Sequence, residues 1–292
     1  HLDLHSFPTR RSSDLKYLLI FNYAAVYLVW GTTYWFIARA VETIPPLWLL
    51  AVRWTLGGAV FFLPFLYDGS VRALSLRQVA SACLLGTLLI LGGNGLVSAA
   101  STRVDSYLSA LIVALVPLFV ALFDFLLKRE PLSLRKGGAV VLGVAGVALL
   151  LHNGGNAAFS LPPETLLVFG GLVLWSCGTS LGGSLPLPAN PVLGTAIQML
   201  FVGLVSMLLA LVREGPPAVF LQRVSTGSLL ALLFLAVAGS ATFISYNWLL
   251  RHEPAFRVAS NTLVNPLIAV FMGLVLGGEG VRPWLLPGML LI

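Results

Sequence analysis

Arg53 is a basic residue well inside an apolar segment that runs from Leu47 to Leu66. A charge at the centre of a membrane helix costs about 2.5 to 3.5 kcal/mol on insertion scales, so we expect its guanidinium to face protein or water rather than lipid. There it would attract and orient an anionic group such as a carboxylate. Alternatively, the side chain extends to the nearby membrane interface, because Arg53 follows Pro46 by only seven residues.

Asp124 is the acidic counterpart of Arg53 inside an apolar segment. A carboxylate within the membrane can carry protons in coupled transport, which makes the proton a candidate coupling ion. Asp124 also precedes Lys128 by four residues, the spacing of an ion pair on one helix face. Both interpretations stay open at this point.

Amide and aromatic side chains form a third group. Asn94 stands in a glycine cluster that weakens a helix and is tolerated where the backbone lines a cavity or packs tightly. Asn261 and Asn265 share a helix face, where they can bind a solute or hydrogen-bond neighbouring helices. Trp30 and Trp175 fall midway along their segments, which suits a cavity wall better than an interfacial belt. The candidate substrate-binding residues are Arg53, Trp30, Asn94, Trp175, Gln198, Asn261 and Asn265.

The chain repeats itself. Pro117 is followed thirteen residues later by Glu130, and the pair recurs 149 residues downstream as Pro266 and Glu279. Trp30 and Pro46 recur 145 residues downstream as Trp175 and Pro191, and this offset places Gln198 opposite Arg53. Pro117, Glu130, Pro266 and Glu279 are therefore candidates for structural or gating roles, with an interfacial salt bridge to Lys128, Arg129 or Arg135 as the alternative for Glu130. Long internal repeats in a hydrophobic chain are typical of transporters.

Composition indicates a polytopic membrane protein. The chain is 58% hydrophobic and 10% charged, whereas soluble domains are about 25% charged. Continuous apolar runs favour helices over a barrel, and 292 residues leave room for about ten spans of some 20 residues. The net charge of +6 comes from basic residues scattered between apolar runs, a pattern of membrane topology and not of nucleic-acid binding.

The predicted fold is all-α, with about ten transmembrane helices in two five-helix repeats. We predict helices near 17–38, 46–67, 76–99, 105–127, 135–152, 164–184, 191–212, 228–250, 256–278 and from about 283. The first repeat covers 16–152, a linker covers 153–163, and the second repeat covers 164–292. We expect residues 1–15 to be a non-native or disordered leader, and the tenth helix to be truncated because its apolar run is only nine residues long.

Basic residues set the expected orientation. The connections on the side of the first helix's start carry nine, and those on the other side carry five: Lys16, Arg72, Arg77, Lys128, Arg129, Arg135, Lys136, Arg251 and Arg257, against Arg39, Arg103, Arg213, Arg223 and Arg282. The positive-inside rule then predicts both termini in the cytoplasm. Because five helices per half is an odd number, the second repeat enters the membrane inverted.

Other classes of function have little support in the sequence. The two cysteines, Cys83 and Cys177, lack metal-ligand spacing, and no phosphate loop or paired acidic motif is present, so we predict no metal, no cofactor and no catalytic residues. Ser240 and His252 lie on one predicted helix about 18 Å apart, too far for a nucleophile and its base. A scaffold or sensor subunit would more naturally carry a soluble domain.

These motifs together resemble the EamA-type permeases of the drug/metabolite transporter superfamily. The resemblance is carried by Trp30-Gly31, Arg53, Pro117 within Ala-Leu-Val-Pro-Leu, Glu130 and Gly143-Val-Ala-Gly146-Val, and in the second copy by Pro266, Gly278-Glu279 and Pro287-Gly288. It implies two inverted five-helix repeats around a central cavity, with export or exchange of small metabolites by alternating access. Departures are the unusual leader, Gln198 in place of a second arginine, and the short tenth helix.

The sequence therefore predicts a secondary transporter of the bacterial inner membrane. Its partners would be the lipid bilayer and a small organic solute, such as an amino acid or another carboxylate-bearing metabolite, with the proton as a candidate coupling ion. The alternatives are a scaffold or sensor subunit that does not transport, and an intramembrane enzyme.

Overall fold

The structure is a computed structural model that describes residues 9–104, 106–131 and 163–276, with positions 134, 137, 138, 141, 142 and 145. This part of the chain forms helices and turns, and contains no strand. Its long helices are α1 (Thr9–Val41), α2 (Pro46–Phe62, continued by Pro64–Tyr67), α3 (Leu76–Ala100), α4 (Ser106–Val113 and Val116–Lys128), α5 (Thr165–Gly182), α6 (Pro191–Arg213), α7 (Thr226–His252) and α8 (Ala255–Val258 and Asn261–Leu276). Two short turns of helix, Ser70–Ala73 and Ala218–Leu221, lie in the connections.

Length and composition make seven of these described helices, α2 to α8, able to cross a membrane. α1 has 33 residues and is less apolar. Its start at Thr9 precedes the predicted start at residue 17, so residues 9–16 extend the helix. The predicted starts of α2, α3 and α6 are confirmed at Pro46, Leu76 and Pro191. The predicted fifth helix falls mostly outside the described residues and the tenth lies wholly outside them, so the count of ten stays a prediction.

Apolar and polar side chains are distributed as lipid requires. Large apolar residues such as Val60, Leu208, Val212, Val237 and Phe271 are exposed on the outer surface of the bundle. Many of the buried side chains between helices are small and polar, among them Ser176, Thr179, Ser180, Ser206 and Ser240. Because lipid tails are as apolar as leucine, helices in membranes associate through close packing of small residues and through hydrogen bonds.

The α2 and α6 helices cross closely through two glycines. A Cβ atom added to Gly58 would lie 2.8 Å from the backbone nitrogen of Leu200, and one added to Gly203 would lie 2.7 Å from that of Thr55. Moving along α2 from Thr55 to Gly58 therefore moves along α6 from Gly203 back to Leu200. The two helices run antiparallel where they cross.

The connections between helices lie at two opposite ends of the bundle. At one end the Glu214 carboxylate accepts hydrogen bonds from the backbone nitrogens of Leu47 and Trp48, both at 3.0 Å. At the other end Arg251 donates to the carbonyl oxygen of Pro188 at 2.8 Å. These contacts hold the start of α2 beside the end of α6, and the end of α7 beside the start of α6.

Candidate functional site

A cavity lies between the helices near the middle of the bundle. The space open to the centres of water molecules amounts to about 60 Å³, and one water needs about 10 to 15 Å³ by this measure, so several waters or a small organic molecule would fit. Its lining is contributed by α1 to α5, α7 and α8: Trp30, Thr33, Tyr34, Ile37, Arg53, Trp54, Gly93, Asn94, Val97, Val113, Val116, Gly171, Leu172, Trp175, Phe243, Asn261, Thr262 and Asn265.

Arg53 enters this cavity from α2. The residue is only 1% exposed, so its side chain does not extend to the membrane interface. One guanidinium nitrogen, Nη1, donates to Oδ1 of Asn94 at 3.2 Å, and Cζ lies 4.2 Å from the ring centroid of Trp54. Nε of Arg53 has no hydrogen-bond partner in the described part of the chain. The cavity therefore holds a buried cation with unused donor capacity.

Asn94 is the last residue of a segment in which α3 changes its winding. Residues Gly86–Asn94 form a π-helical segment inside α3, and the end of this segment overlaps the glycine cluster that weakens a helix. Gly93 lets this segment approach α5, since a Cβ atom at Gly93 would lie 2.8 Å from Cε3 of Trp175. Close packing of α3 on α5 thus brings Asn94 and Trp175 to the same cavity.

An aromatic cluster forms one wall of the cavity. Trp30 and Trp175 meet edge to face with centroids 5.4 Å apart, and Trp30 lies 4.8 Å from the ring of Tyr246. Nε1 of Trp175 donates to the hydroxyl of Tyr246 at 3.1 Å, and that hydroxyl also bonds Oγ1 of Thr179. These hydrogen bonds fix the orientation of the Trp175 ring.

Asn261 and Asn265 face the cavity from α8. They are 1% and 2% exposed, and Oδ1 of each has no partner among the described residues. Pro266 lies inside the same helix, where it lacks the N–H that a regular helix would use. Both amide oxygens are therefore free to accept a hydrogen bond from a solute.

We predicted that Gln198 lines the cavity, but the structure places its side chain elsewhere. It is buried on α6, but it lies outside the lining, and its Nε2 donates to Oδ1 of Asn247 on α7 at 3.2 Å. The repeat relation to Arg53 holds in sequence, but α6 packs against α2 and presents this position to α7 instead.

Asp124, Glu130 and Pro117 are not among the residues that line the cavity. Asp124 is buried, accepts a hydrogen bond from Ser180, and pairs with Lys128 at 2.9 Å, so the ion pair predicted as its alternative role is present. Glu130 is exposed, and the Lys128 proposed as its partner pairs with Asp124. Pro117 is buried in the first turn of the Val116–Lys128 helix, just after a turn at residues 114–115. Glu279 lies outside the described residues.

Sequence reasoning missed several lining residues. Trp54 adjoins Arg53 and Thr262 adjoins Asn261, so each was signalled by a neighbour. Phe243 carries no such signal, because an apolar aromatic residue in an apolar segment looks the same whether it faces lipid, a helix or a cavity.

Comparison with known proteins gives the family. The model of the EamA-like transporter family matches twice, over residues 17–152 and 163–292. The Escherichia coli K12 protein described as the uncharacterized inner membrane transporter YedA is 34% identical over 270 residues, covering 91% of this chain and 86% of that protein. A Chlamydia trachomatis protein described as an S-adenosylmethionine/S-adenosylhomocysteine transporter is 26% identical over 288 residues, covering 94% of this chain and 85% of that protein.

A solved structure with the description "Crystal structure of protein" has the same fold. It has a TM-score of 0.70 at 21% identity and covers 94% of this chain and 93% of that one. The similarity to the inner membrane transporter YedA and the seven membrane-capable helices in the described residues make this a multi-pass inner-membrane protein. With the family model matched over both halves, the chain belongs to the EamA-like transporter family.

Proposed function

We propose that this family member is a secondary transporter that exports or exchanges a small organic solute, such as an amino acid or another carboxylate-bearing metabolite. The observation that carries the proposal is Arg53, a buried guanidinium that lines a central cavity and has no ion-pair partner among the described residues. A planar guanidinium can bind a carboxylate through two parallel hydrogen bonds.

The rest of the lining suits a solute with one polar end. Asn94, Asn261 and Asn265 add amide groups, while Ile37, Val97, Val113, Val116 and Leu172 supply apolar surface. Binding sites for small molecules commonly combine apolar walls with a few placed polar groups. S-adenosylmethionine, the solute named for the chlamydial relative, also carries a carboxylate and belongs in any panel of test compounds.

Alternating access between two inverted halves is the proposed mechanism. Two observations support it: the family model matches both halves, and equivalent helices α2 and α6 cross antiparallel through equivalent glycines. Rocking of one half on the other would expose the cavity to each side in turn. In this proposal both termini are cytoplasmic, Glu130 belongs to the inner end of the pathway and Glu279 to the outer end. Pro117 and Pro266 are the matching structural or gating residues of the two repeats.

Reconstitution into proteoliposomes tests the proposal. Uptake is measured for a panel of radiolabelled amino acids, their deaminated acids and S-adenosylmethionine, with the wild type and with Arg53→Ala. A charge-assisted hydrogen bond contributes about 1.5 to 3 kcal/mol, so Arg53→Ala should reduce uptake of the transported carboxylate-bearing solute by roughly tenfold or more. Arg72→Ala, at an exposed position in a connection, is the matched control and should transport like the wild type.

Two results would count against this function. Equal uptake by a folded Arg53→Ala protein would remove Arg53 from the binding site. Failure of the folded wild type to move any compound of the panel in either direction would favour a protein that binds solutes without transporting them.

A further inference from the structure

The charge of Arg53 is unbalanced within the described residues. The described carboxylates are all engaged elsewhere or lie on the surface: Glu42 pairs with Arg39, Glu164 with Arg103, Asp124 with Lys128 and Glu253 with Arg257, Glu214 caps α2, Asp68 bonds Ser70, and Asp14 and Glu130 are exposed. None of them lines the cavity. Taking a cation out of water is costly unless an opposite charge accompanies it.

Asn94 is the residue that holds this charge without cancelling it. Its Oδ1 accepts a hydrogen bond from Nη1 of Arg53 at 3.2 Å, as a carboxylate would, but an amide carries no charge. Trp54 contributes only the face of its ring, 4.2 Å from Cζ. The partners of Arg53 thus orient the guanidinium and leave a full positive charge in a cavity large enough for several waters.

We propose that the Arg53 site binds a small monovalent inorganic anion of the halide class when no organic solute is present, and that Asn94 keeps the site cationic. This inference builds on the proposed function, because the same guanidinium would take the carboxylate of the solute. A halide is a sphere of single charge, so it requires no particular orientation of the remaining donors. It would supply the missing counter-charge between transport events and leave when the carboxylate enters.

The cavity contains its own reporter of such an anion. Trp30, Trp54 and Trp175 line it, and Trp54 lies against the guanidinium. Iodide quenches tryptophan fluorescence on contact, so an iodide ion held at Arg53 gives quenching that saturates with concentration. Tryptophans elsewhere meet iodide by collision, and their quenching rises without saturation.

The experiment is an iodide titration of the purified protein, with sodium methanesulfonate, which carries neither a halide nor a carboxylate, used to hold the ionic strength constant. The wild type should show a saturable component, and chloride should compete with it. Arg53→Gln should lose that component. Quenching in the wild type that is entirely collisional would overturn the proposal, and so would a saturable component that is unchanged in Arg53→Gln.

Asn94→Asp tests the second half of the inference. The new carboxylate would pair with Arg53 and neutralise the site, so the iodide concentration for half-saturation should rise by about tenfold or more, the equivalent of 1.4 kcal/mol. Asn190→Asp adds the same charge at an exposed helix cap that an aspartate also satisfies, and it should behave like the wild type. Equal iodide binding by Asn94→Asp and the wild type would overturn the role of Asn94.

The outcome is separable from that of the proposed function. Carboxylate uptake that depends on Arg53, together with no saturable iodide binding, would end this inference and leave the transport function standing. Saturable iodide binding in a protein that transports none of the panel compounds would leave this inference standing and count against the transport function.

Discussion

Gly58 of α2 and Gly203 of α6 make reciprocal contacts: the first packs against Leu200 and the second against Thr55. Thr55 and Leu200 are 145 residues apart in the sequence, and so are Gly58 and Gly203. This is the offset of the repeat, so each pair occupies equivalent positions in the two halves. Gly58 contacts Leu200, and their equivalents in the other half, Gly203 and Thr55, contact each other. Such reciprocal contacts are those of a two-fold relation. The duplication visible in the sequence is thus built into the crossing of α2 and α6.

Gly203→Ala should be strongly destabilising for this reason. The added Cβ would lie 2.7 Å from the backbone nitrogen and 3.0 Å from Cα of Thr55, and a backbone cannot turn aside as a side chain can. Overpacking of this kind costs about 1 to 3 kcal/mol, so the midpoint of thermal unfolding in detergent should fall clearly. Gly170→Ala is the matched control, because its Cβ would meet only Cδ1 of Leu96 at 3.3 Å. Similar midpoints for the two variants would show that α2 and α6 are not so close.

Glu214→Ala should loosen the start of α2. The carboxylate accepts from two of the backbone nitrogens that a helix start leaves without partners, and its negative charge lies at the positive end of the helix dipole. Loss of a cap costs about 0.5 to 2 kcal/mol, measured as a lower midpoint of thermal unfolding. Glu164→Ala, which removes an ion pair with the exposed Arg103, should change the midpoint much less. A larger effect of Glu164→Ala than of Glu214→Ala would contradict the capping role.

Asp124 and Lys128 should behave as a structural pair. Their side chains are 6% and 24% exposed, so removing one partner leaves the other poorly solvated. Asp124→Asn and Lys128→Gln should each lower the midpoint of thermal unfolding, by about 1 to 3 kcal/mol in stability, and the double variant should lose less than the sum of the two.

Proteoliposome uptake separates this pair from proton coupling. If the pair is structural, uptake by the Asp124→Asn/Lys128→Gln protein retains whatever dependence on a pH gradient the wild type has. Loss of that dependence at unchanged stability would instead identify Asp124 as a proton carrier.

Helix positions could be predicted from the sequence because each span of a lipid bilayer needs about 20 mostly apolar residues in a helix. Pro46, Leu76 and Pro191 begin helices where apolar runs begin, and all three boundaries were predicted. Six of the seven predicted binding residues also line the cavity, since a polar side chain inside the membrane needs protein or water beside it, and a tryptophan midway along a span lies away from the interfacial belt. Gln198 was misplaced because the same argument fits a polar bond to Asn247 on another helix, and periodicity gives no information on which neighbour a helix face meets.

Tyr246→Phe should disturb the aromatic wall through two hydrogen bonds. Oγ1 of Thr179 donates to the carbonyl oxygen of Trp175 at 2.8 Å, so the Tyr246 hydroxyl is left to donate to Thr179 and to accept from Nε1 of Trp175. Removing the hydroxyl leaves Nε1 without its acceptor, at a cost of about 1 to 3 kcal/mol. The midpoint of thermal unfolding should fall, and the solute concentration for half-maximal uptake should rise as the Trp175 ring loses its fixed orientation.

A second substitution tests the cause of that loss. Trp175→Phe removes the donor, so the Tyr246→Phe/Trp175→Phe protein has no unpaired indole nitrogen and should be less destabilised than the sum of its single variants, because replacing both partners by apolar groups avoids the penalty for an unmade bond. Tyr67→Phe, at a residue that is 89% exposed, is the control and should leave both the midpoint and uptake unchanged. Additive effects of Tyr246→Phe and Trp175→Phe would mean that the two rings are held by packing alone, and the hydrogen bond between them would then have no part in shaping the cavity.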